Sequence, residues 1–294
     1  MLRICIKPTT FEVLPFQKGQ NPYIHPEHLL GSARVKKQHA TLETSFSNIT
    51  IVTIDPVHGS AEHLPDIVFV ANGGLALPRL PRPLIILPWM KYPQRQRELP
   101  YLRDVFAHLG LDTVDFPGSP AAPFEGQAEL KWFHGGTKAI CGYGHRSTRR
   151  SVTIIKSLLT KIYKAHRLSP PEILAIPLLS SQFYHFDVAA LEYNDTQCIV
   201  HKDAFSAASV KKMRAFLGGE ETVTVIDTKD HFCLNSVVDG KYLVTHKLQD
   251  PALKPMLERI TGKIVRQVDT SEFEKSGGSV RCMTLDIWPG TGRS

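Results

Sequence analysis

No apolar run in the 294 residues approaches the roughly 20 needed to cross a bilayer, so no membrane-spanning helix is expected. Met1 to Phe16 carries charge and proline but no continuous apolar stretch, and no secretory signal is read there. Cysteine is scarce. The five residues are odd in number and none sits at CxxC spacing, which argues against a disulfide framework and a thiolate zinc site. A reducing, cytoplasmic setting follows, with at least one thiol free to react. The histidines show no HExxH or comparable ligand spacing, so no metal is expected. No Walker sequence or dinucleotide fingerprint is present, and no cofactor is expected. No Ser/Gly-rich linker or low-complexity tract divides the chain. It reads as one domain over residues 1–289, with a mobile tail over 290–294.

What is there suits a large core. A chain of this length buries about three-quarters of its unfolded surface. The net charge of +7 raises the question of a polyanionic partner. The basic pairs Lys36-Lys37, Arg149-Arg150 and Lys211-Lys212 are scattered and lack interleaved aromatics, so they read as solvated faces rather than a nucleic-acid surface. The partner expected is a small molecule, with a homo-oligomer left open.

Stretches rich in β-branched residues predict strands at Ile49–Asp55, Ile67–Ala71, Leu84–Leu87, Lys138–Gly142, Ile173–Leu178, Val188–Tyr193, Thr196–His201, Thr222–Ile226, Tyr242–His246, Ile264–Val268 and Ser279–Ile287. Helical spacing of apolar residues occurs at Ile155, Leu158, Leu159 and Ile162, and again at Leu253, Met256, Leu257 and Ile260. Asp250, Pro251 and Gly262 bracket the second of these. Further helices are predicted from Ser206 to Leu217 and from about Gln94 to Leu109, with Pro100 as a kink or late start. Helices therefore begin about every fifty residues with strands between them, the period of a radial array of small α/β units.

Three separated strings carry chemistry. Cys282 follows Gly277-Gly278, and glycines let a backbone approach a small planar carbon closely. A thiolate is a strong nucleophile near neutral pH, although most free cysteines are core residues. His185 and Asp187 stand at i, i+2, on one face if the segment is a strand. An imidazole there can serve as acid and base, or merely bond the backbone. Glu125, between Phe124 and Gly126, can hold a buried cation or sit exposed in a turn. Asn72 lies where a strand is expected to end, a place for binding groups or for an Asn-Gly turn.

Taken in order, Asn21-Pro22, Pro65 to Asn72, Pro93 to Gln96, Phe124-Glu125-Gly126, Gly142 to Ser147, Phe183 to Asp187 and Gly277 to Cys282 resemble the markers of the amidinotransferase-like, guanidino-modifying superfamily, the pentein fold. Within it they are most similar to arginine dihydrolases and dimethylarginine dimethylaminohydrolases. The resemblance runs from Asn21 to about Leu285. It implies an α/β-propeller of five ββαβ-type modules around a pseudo-fivefold axis. It implies Cys282 as nucleophile, His185 as acid then base, and Glu125 and Asp187 as carboxylates on the guanidinium. Asp66 would meet a substrate α-amino group, Arg95 and Arg146 its carboxylate, with Asn21 also in the binding set. Asn72 stands where deiminases and methylarginine hydrolases carry aspartate and dihydrolases carry asparagine. Gln127-Ala128-Glu129 departs from the usual continuation after the glutamate–glycine pair. The reaction implied is arginine dihydrolysis to ornithine, ammonia and carbon dioxide. A deiminase, a methylarginine hydrolase and, more remotely, a non-catalytic ribosome-associated pentein are the alternatives.

Overall fold

The computed structural model describes residues 2–25, 27–53 and 64–292. Five three-stranded sheets repeat one topology. In each, a first strand runs antiparallel to a middle strand, and a helix then returns the chain to a third strand parallel to the middle one. Leu75–Ala76, Leu84–Leu87 and Asp112–Asp115 form one such unit around the helix Leu99–His108. Leu130–Phe133, Lys138–Tyr143 and Glu172–Pro177 form the next around Arg149–Ala165. Ala190–Glu192, Cys198–His201 and Val223–Ile226 follow with Ala207–Leu217, then Val237–Asp239, Tyr242–His246 and Ile264–Val268 with Leu253–Thr261. The remaining unit joins the two ends of the chain. Its first strand is Leu285–Ile287, its middle strand Leu2–Ile6 and its third strand Thr50–Val52, with the helix Ser32–Ser45 between the last two.

Side-chain alternation explains why the units close into a ring. Successive residues of a strand point to opposite faces. Here the two faces of each middle strand enter two different cores. Ile85 and Leu87 pack with Ile4, Ile6 and Leu285, while Ile86 packs with Leu130, Ala139 and Leu159. Ile140 shares a third core with Cys198 and Val200, and Ile199 a fourth with Leu243 and Leu257. Val244 then meets Cys5, Val35 and Leu42 in a fifth, which returns to the starting unit. Five cores thus lie between five units, and the sheet order is a pseudo-fivefold propeller. Middle strands buried on both faces read as continuous apolar runs, such as Leu84–Leu87.

The helices follow local rules. Thr148 Oγ1 accepts from Ser151 N–H at 3.2 Å and Ser151 Oγ from Thr148 N–H at 3.1 Å, a reciprocal cap. Asp250 Oδ1 accepts from Ala252 N–H in the turn leading to Leu253–Thr261, and Gly262 at φ 65° ends that helix. The segment expected from Gln94 to Leu109 splits into Pro93–Gln96 and Leu99–His108, with Pro100 in the first turn of the longer piece. No helix among the described residues is long and apolar enough to cross a membrane.

One helix was not predicted and several predicted strands change. Ser32–Ser45 carries no apolar helical signal because its inward face includes Gln38, His39 and Ser45 beside Val35 and Leu42. Ile67–Ala71 forms turns leading into the 3-10 segment Val70–Gly73, and of Ser279–Ile287 only Leu285–Ile287 is strand. Both are apolar because they are buried, not because they pair in a ladder. The predicted strand Ile49–Asp55 is seen as Thr50–Val52, and its last two residues lie outside the described residues. At the C-terminus, Thr291 N–H and Gly292 N–H donate to the carbonyls of Leu80 and Pro81.

One buried ion cluster ties the last unit together. His246 is 1% exposed, with Nε2 2.8 Å from Asp230 Oδ1 and Nδ1 3.1 Å from Glu274 Oε1. Burial alone would lower its pKa, but the two carboxylates raise it to about 9. A folded-state value above the unfolded one makes the imidazolium stabilising below the unfolded pKa, an increment lost as pH rises through 9. Raising the pH from 6.5 to 9.5 should therefore remove up to roughly 3 kcal/mol of stability in urea titrations. His246→Gln should start less stable and show a flatter profile across that window. An unchanged profile in the variant would exclude the cluster as its source.

Candidate functional site

The segments that lead into the five first strands carry a polar residue each. Asn72 precedes Leu75, Glu125 precedes Leu130, Asp187 precedes Ala190, Asn235 precedes Val237 and Cys282 precedes Leu285. The fivefold arrangement brings these residues together although they are scattered over two-thirds of the chain. Asn72 Nδ2 lies 3.4 Å from Glu125 Oε2 and 3.2 Å from His185 Nε2. His185 Nε2 is 2.8 Å from the same Glu125 oxygen. Cys282 Sγ is 3.7 Å from Asp187 Oδ2 and 3.1 Å from Asn235 Nδ2. Ala71 N–H donates to the Cys282 carbonyl at 3.1 Å and completes the circle.

A narrow cavity opens on this cluster. Asn72, His185 and Cys282 line it, together with Asp66, Arg95 and Arg146. Glu125 and Asp187 are 0% exposed and lie behind that lining. His185 precedes the short helix Phe186–Ala189, not a strand, so its proximity to Asp187 comes from a helical first turn. Two glycines make the geometry feasible. Gly126 has φ 63°, and a Cβ there would sit 2.6 Å from the Gly74 carbonyl oxygen and 2.9 Å from that of Asn72. Gly277 has φ 92°, and a Cβ would meet the Asn21 amide at 2.7 Å.

Burial sets the charge state of the site. Burial would raise the Glu125 carboxyl, but Arg146 NH1 at 3.0 Å and the His185 ring hold it well below the usual range. An anionic Glu125 can only accept, so His185 Nε2 carries the hydrogen between them. Burial lowers His185 below its ordinary value against the pull of Glu125, leaving a neutral imidazole at neutral pH. Burial and then Asp187 push the Cys282 thiol up, and burial raises Asp187 against Lys131 and His185. The resting site therefore holds a neutral thiol, a neutral ring and one firm carboxylate. Glu129 adds a buried carboxyl 3.9 Å from His185 Nε2, which burial and the nearby Glu125 raise well above its ordinary value.

The outer residues expected around a substrate's α-amino and carboxylate groups each have protein partners. Asp66 Oδ1 and Oδ2 already accept from Ser276 Oγ at 3.0 Å and Gln17 Nε2 at 2.9 Å. Arg95 forms a two-point pair with Glu98 at 2.8 and 2.9 Å, and its NH2 also reaches the Asp66 and Phe69 carbonyls. Arg146, expected on a substrate carboxylate, has its NH1 on Glu125 and its NH2 on the Gln20 carbonyl, between the rings of Tyr92 and Tyr184. Asn21 ties Ser276 through Nδ2 and caps Tyr23 N–H through Oδ1.

Asn235 escaped the sequence reading because Leu234-Asn235-Ser236 resembles no nucleophile or acid–base string. The signal that would find it is register, the position just ahead of each first strand. A second thiol–imidazole–carboxylate line, Cys5–His39–Glu43, is inert by comparison. His39 Nε2 is 2.9 Å from the Ile6 carbonyl, which can only accept, so that nitrogen has its hydrogen committed and cannot take the Cys5 proton.

No protein-family profile matches the chain. It is 26% identical over 271 residues to the bifunctional arginine dihydrolase/ornithine cyclodeaminase ArgZ of Synechocystis, covering 91% of this chain and 35% of that protein. It is 28% identical over 239 residues to the N(G),N(G)-dimethylarginine dimethylaminohydrolase of Mycobacterium tuberculosis, covering 80% and 69%. The chain thus spans about a third of the length of the bifunctional relatives it matches. Among solved structures, the ArgZ N-terminal domain superposes with a TM-score of 0.79 at 23% identity over 97% of both chains. A dimethylarginine dimethylaminohydrolase superposes at 0.68 and 16% identity over 97% and 98%.

The crowding at Gly126 makes a local prediction. Gly126→Ala should lose at least roughly 2 kcal/mol in urea unfolding, from the left-handed backbone plus the clash with the Gly74 carbonyl. Gly135→Ala, with φ 61° but nothing within 4 Å of the added carbon, is the control and should lose only about 1 kcal/mol. Equal losses would mean that Gly126 contributes backbone freedom alone.

Proposed function

We propose that this chain, a member of the amidinotransferase-like pentein superfamily, is a hydrolase that breaks C–N bonds of a guanidinium group, with free L-arginine as substrate and ornithine as end product. The observation that carries this reading is the meeting of Cys282 and His185 on one cavity, with Glu125 buried behind the ring. Sequence similarity to arginine dihydrolases over most of the chain supports it. So do the relatives' complexes, which include a cysteine-to-serine ArgZ domain bound to substrate and an ArgZ variant covalently bound to a reaction intermediate.

A guanidinium is a poor electrophile because its charge is delocalised. Fixing its plane against buried carboxylates replaces lost hydration and places its carbon beside the sulfur. Entry of the cation also offsets the repulsion that keeps Cys282 protonated. The thiol proton passes to Nδ1 of neutral His185, whose Nε2 already carries the hydrogen toward Glu125, giving a thiolate and an imidazolium. Sulfur bonds to the guanidinium carbon, and the tetrahedral adduct breaks a C–N bond as His185 returns the proton to departing ammonia. The S-alkylthiouronium left behind is attacked by water, whose proton His185 accepts, and C–S cleavage regenerates the thiol. General acid–base help of this kind contributes roughly 10²–10⁴ in rate. Asn72 presents a neutral amide where an aspartate would grip a cation harder. An uncharged ureido product can stay hydrogen-bonded there and be attacked a second time, releasing a second ammonia and carbon dioxide.

Similarity to a dimethylarginine dimethylaminohydrolase supports a second reading, hydrolysis of dimethylarginine to citrulline and dimethylamine. Mass-spectrometric product analysis with arginine, citrulline, dimethylarginine and agmatine separates the two. Ornithine from arginine is expected, and Cys282→Ser should abolish turnover while arginine binding persists. Activity retained by that variant would remove Cys282 from its role. Asn72→Asp should shift the product toward accumulated citrulline. Ornithine without citrulline from Asn72→Asp would overturn the account of the second attack.

A further inference from the structure

Asn235 is the one pre-strand residue of the fivefold set with no part in the chemistry above. It is 0% exposed and carries four contacts toward the nucleophile loop and its neighbour. Its Oδ1 accepts from Arg281 N–H at 3.1 Å and from Cys282 N–H at 3.2 Å. Its Nδ2 donates to the Asp187 carbonyl at 3.2 Å and to Cys282 Sγ at 3.1 Å. Two backbone N–H groups can bond only to the oxygen end of the amide, so the amide orientation is dictated and its NH₂ must face the sulfur. Donation to the Asp187 carbonyl dictates the same orientation from the other end. The sulfur therefore has one committed donor, with the Asp187 carboxyl 3.7 Å away.

We infer that Asn235 is a catalytic residue that stabilises the Cys282 thiolate through its side-chain N–H while its oxygen fixes the loop carrying that sulfur. The inference rests on the reading of Cys282 as nucleophile. When the thiol proton passes to His185, the new negative charge gains a charge-assisted hydrogen bond from an amide already in place. No reorganisation is needed at that moment, because the donor is held by three other bonds. The Asp187 carboxyl at 3.7 Å works against the charge, so the balance between the two sets how readily the thiolate forms. A buried core asparagine would satisfy its own groups equally well with a water or a carbonyl. It would not need to hold the backbone N–H of the nucleophile and the nucleophile itself at once.

The test is alkylation of Cys282 by iodoacetamide as a function of pH, followed on the Cys282 peptide by mass spectrometry in the full chain. Asn235→Asp keeps the acceptor for both backbone N–H groups and replaces the donor with a carboxylate oxygen. It should move the midpoint of the alkylation profile to higher pH by roughly one to two units, a ten- to hundredfold loss of thiolate. The kcat on arginine should fall by a similar factor with KM changed less than about threefold. Asn235→Ala removes the donor without adding charge and should shift the midpoint in the same direction by less. Thermal melts of both variants report the fold separately. Midpoints unchanged in both variants would overturn the inference, as would a kcat loss that follows only the unfolded fraction. A wild-type protein with no activity on guanidino compounds would refute the arginine reading and leave the alkylation result to decide on Asn235.

Discussion

The antiparallel pairing of Leu2–Ile6 with Leu285–Ile287 is the contact on which the rest of the molecule depends. It turns a linear series of strand–strand–helix–strand units into a ring, and it is the most distant pairing in sequence. Residues of the paired strands enter two of the five cores. Ile4 and Ile6 complete one with Ile85 and Leu102, and Cys5 completes another with Val244 and Val268. Each middle strand is buried on both faces, so no unit could bury its apolar surface alone. The loop before Leu285 holds Cys282, so ring closure also delivers the sulfur.

A ring of five units places five equivalent loop positions around one small volume. Equivalence of place does not demand equivalence of chemistry. Asn72, Glu125, Asp187, Asn235 and Cys282 differ in charge and donor pattern, and the site is made from those differences. Gly126 shows how tightly the loops are set, since its missing side chain is what lets the Glu125 loop lie against the Asn72 and Gly74 carbonyls. Such packing holds polar groups at fixed separations without help from solvent, which is the condition for preorganised electrostatics.

Charge in the site is kept low by burial. Arg146 and His185 stabilise Glu125 as an anion, while burial keeps Cys282 protonated and His185 neutral. The carboxyls of Glu125 and Asp187 lie behind the cavity wall in a chain whose overall charge is positive. The pairing of the Arg146 guanidinium with Glu125 also shows that this carboxylate accepts the kind of group proposed for the substrate.

Local pattern alone was enough for much of the scaffold. Alternation and apolar runs marked most of the paired strands, and the i, i+3, i+4, i+7 spacing of Ile155 to Ile162 marked a helix that stands where expected. It was not enough for Ser32–Ser45, whose buried face includes Gln38 and His39 and is satisfied by contacts from Ser271 and Ile6. Nor could it separate a buried turn from a buried strand at Ile67–Ala71, since both are apolar. Cys282, His185 and Glu125 could be named from their strings and order. That they share one cluster, that Arg146 sits on Glu125 and that Asn235 reaches the sulfur were decided only by the tertiary fold. The reason is physical: side-chain periodicity is a property of neighbours along the chain, whereas these contacts join residues brought together by ring closure, which no local segment encodes.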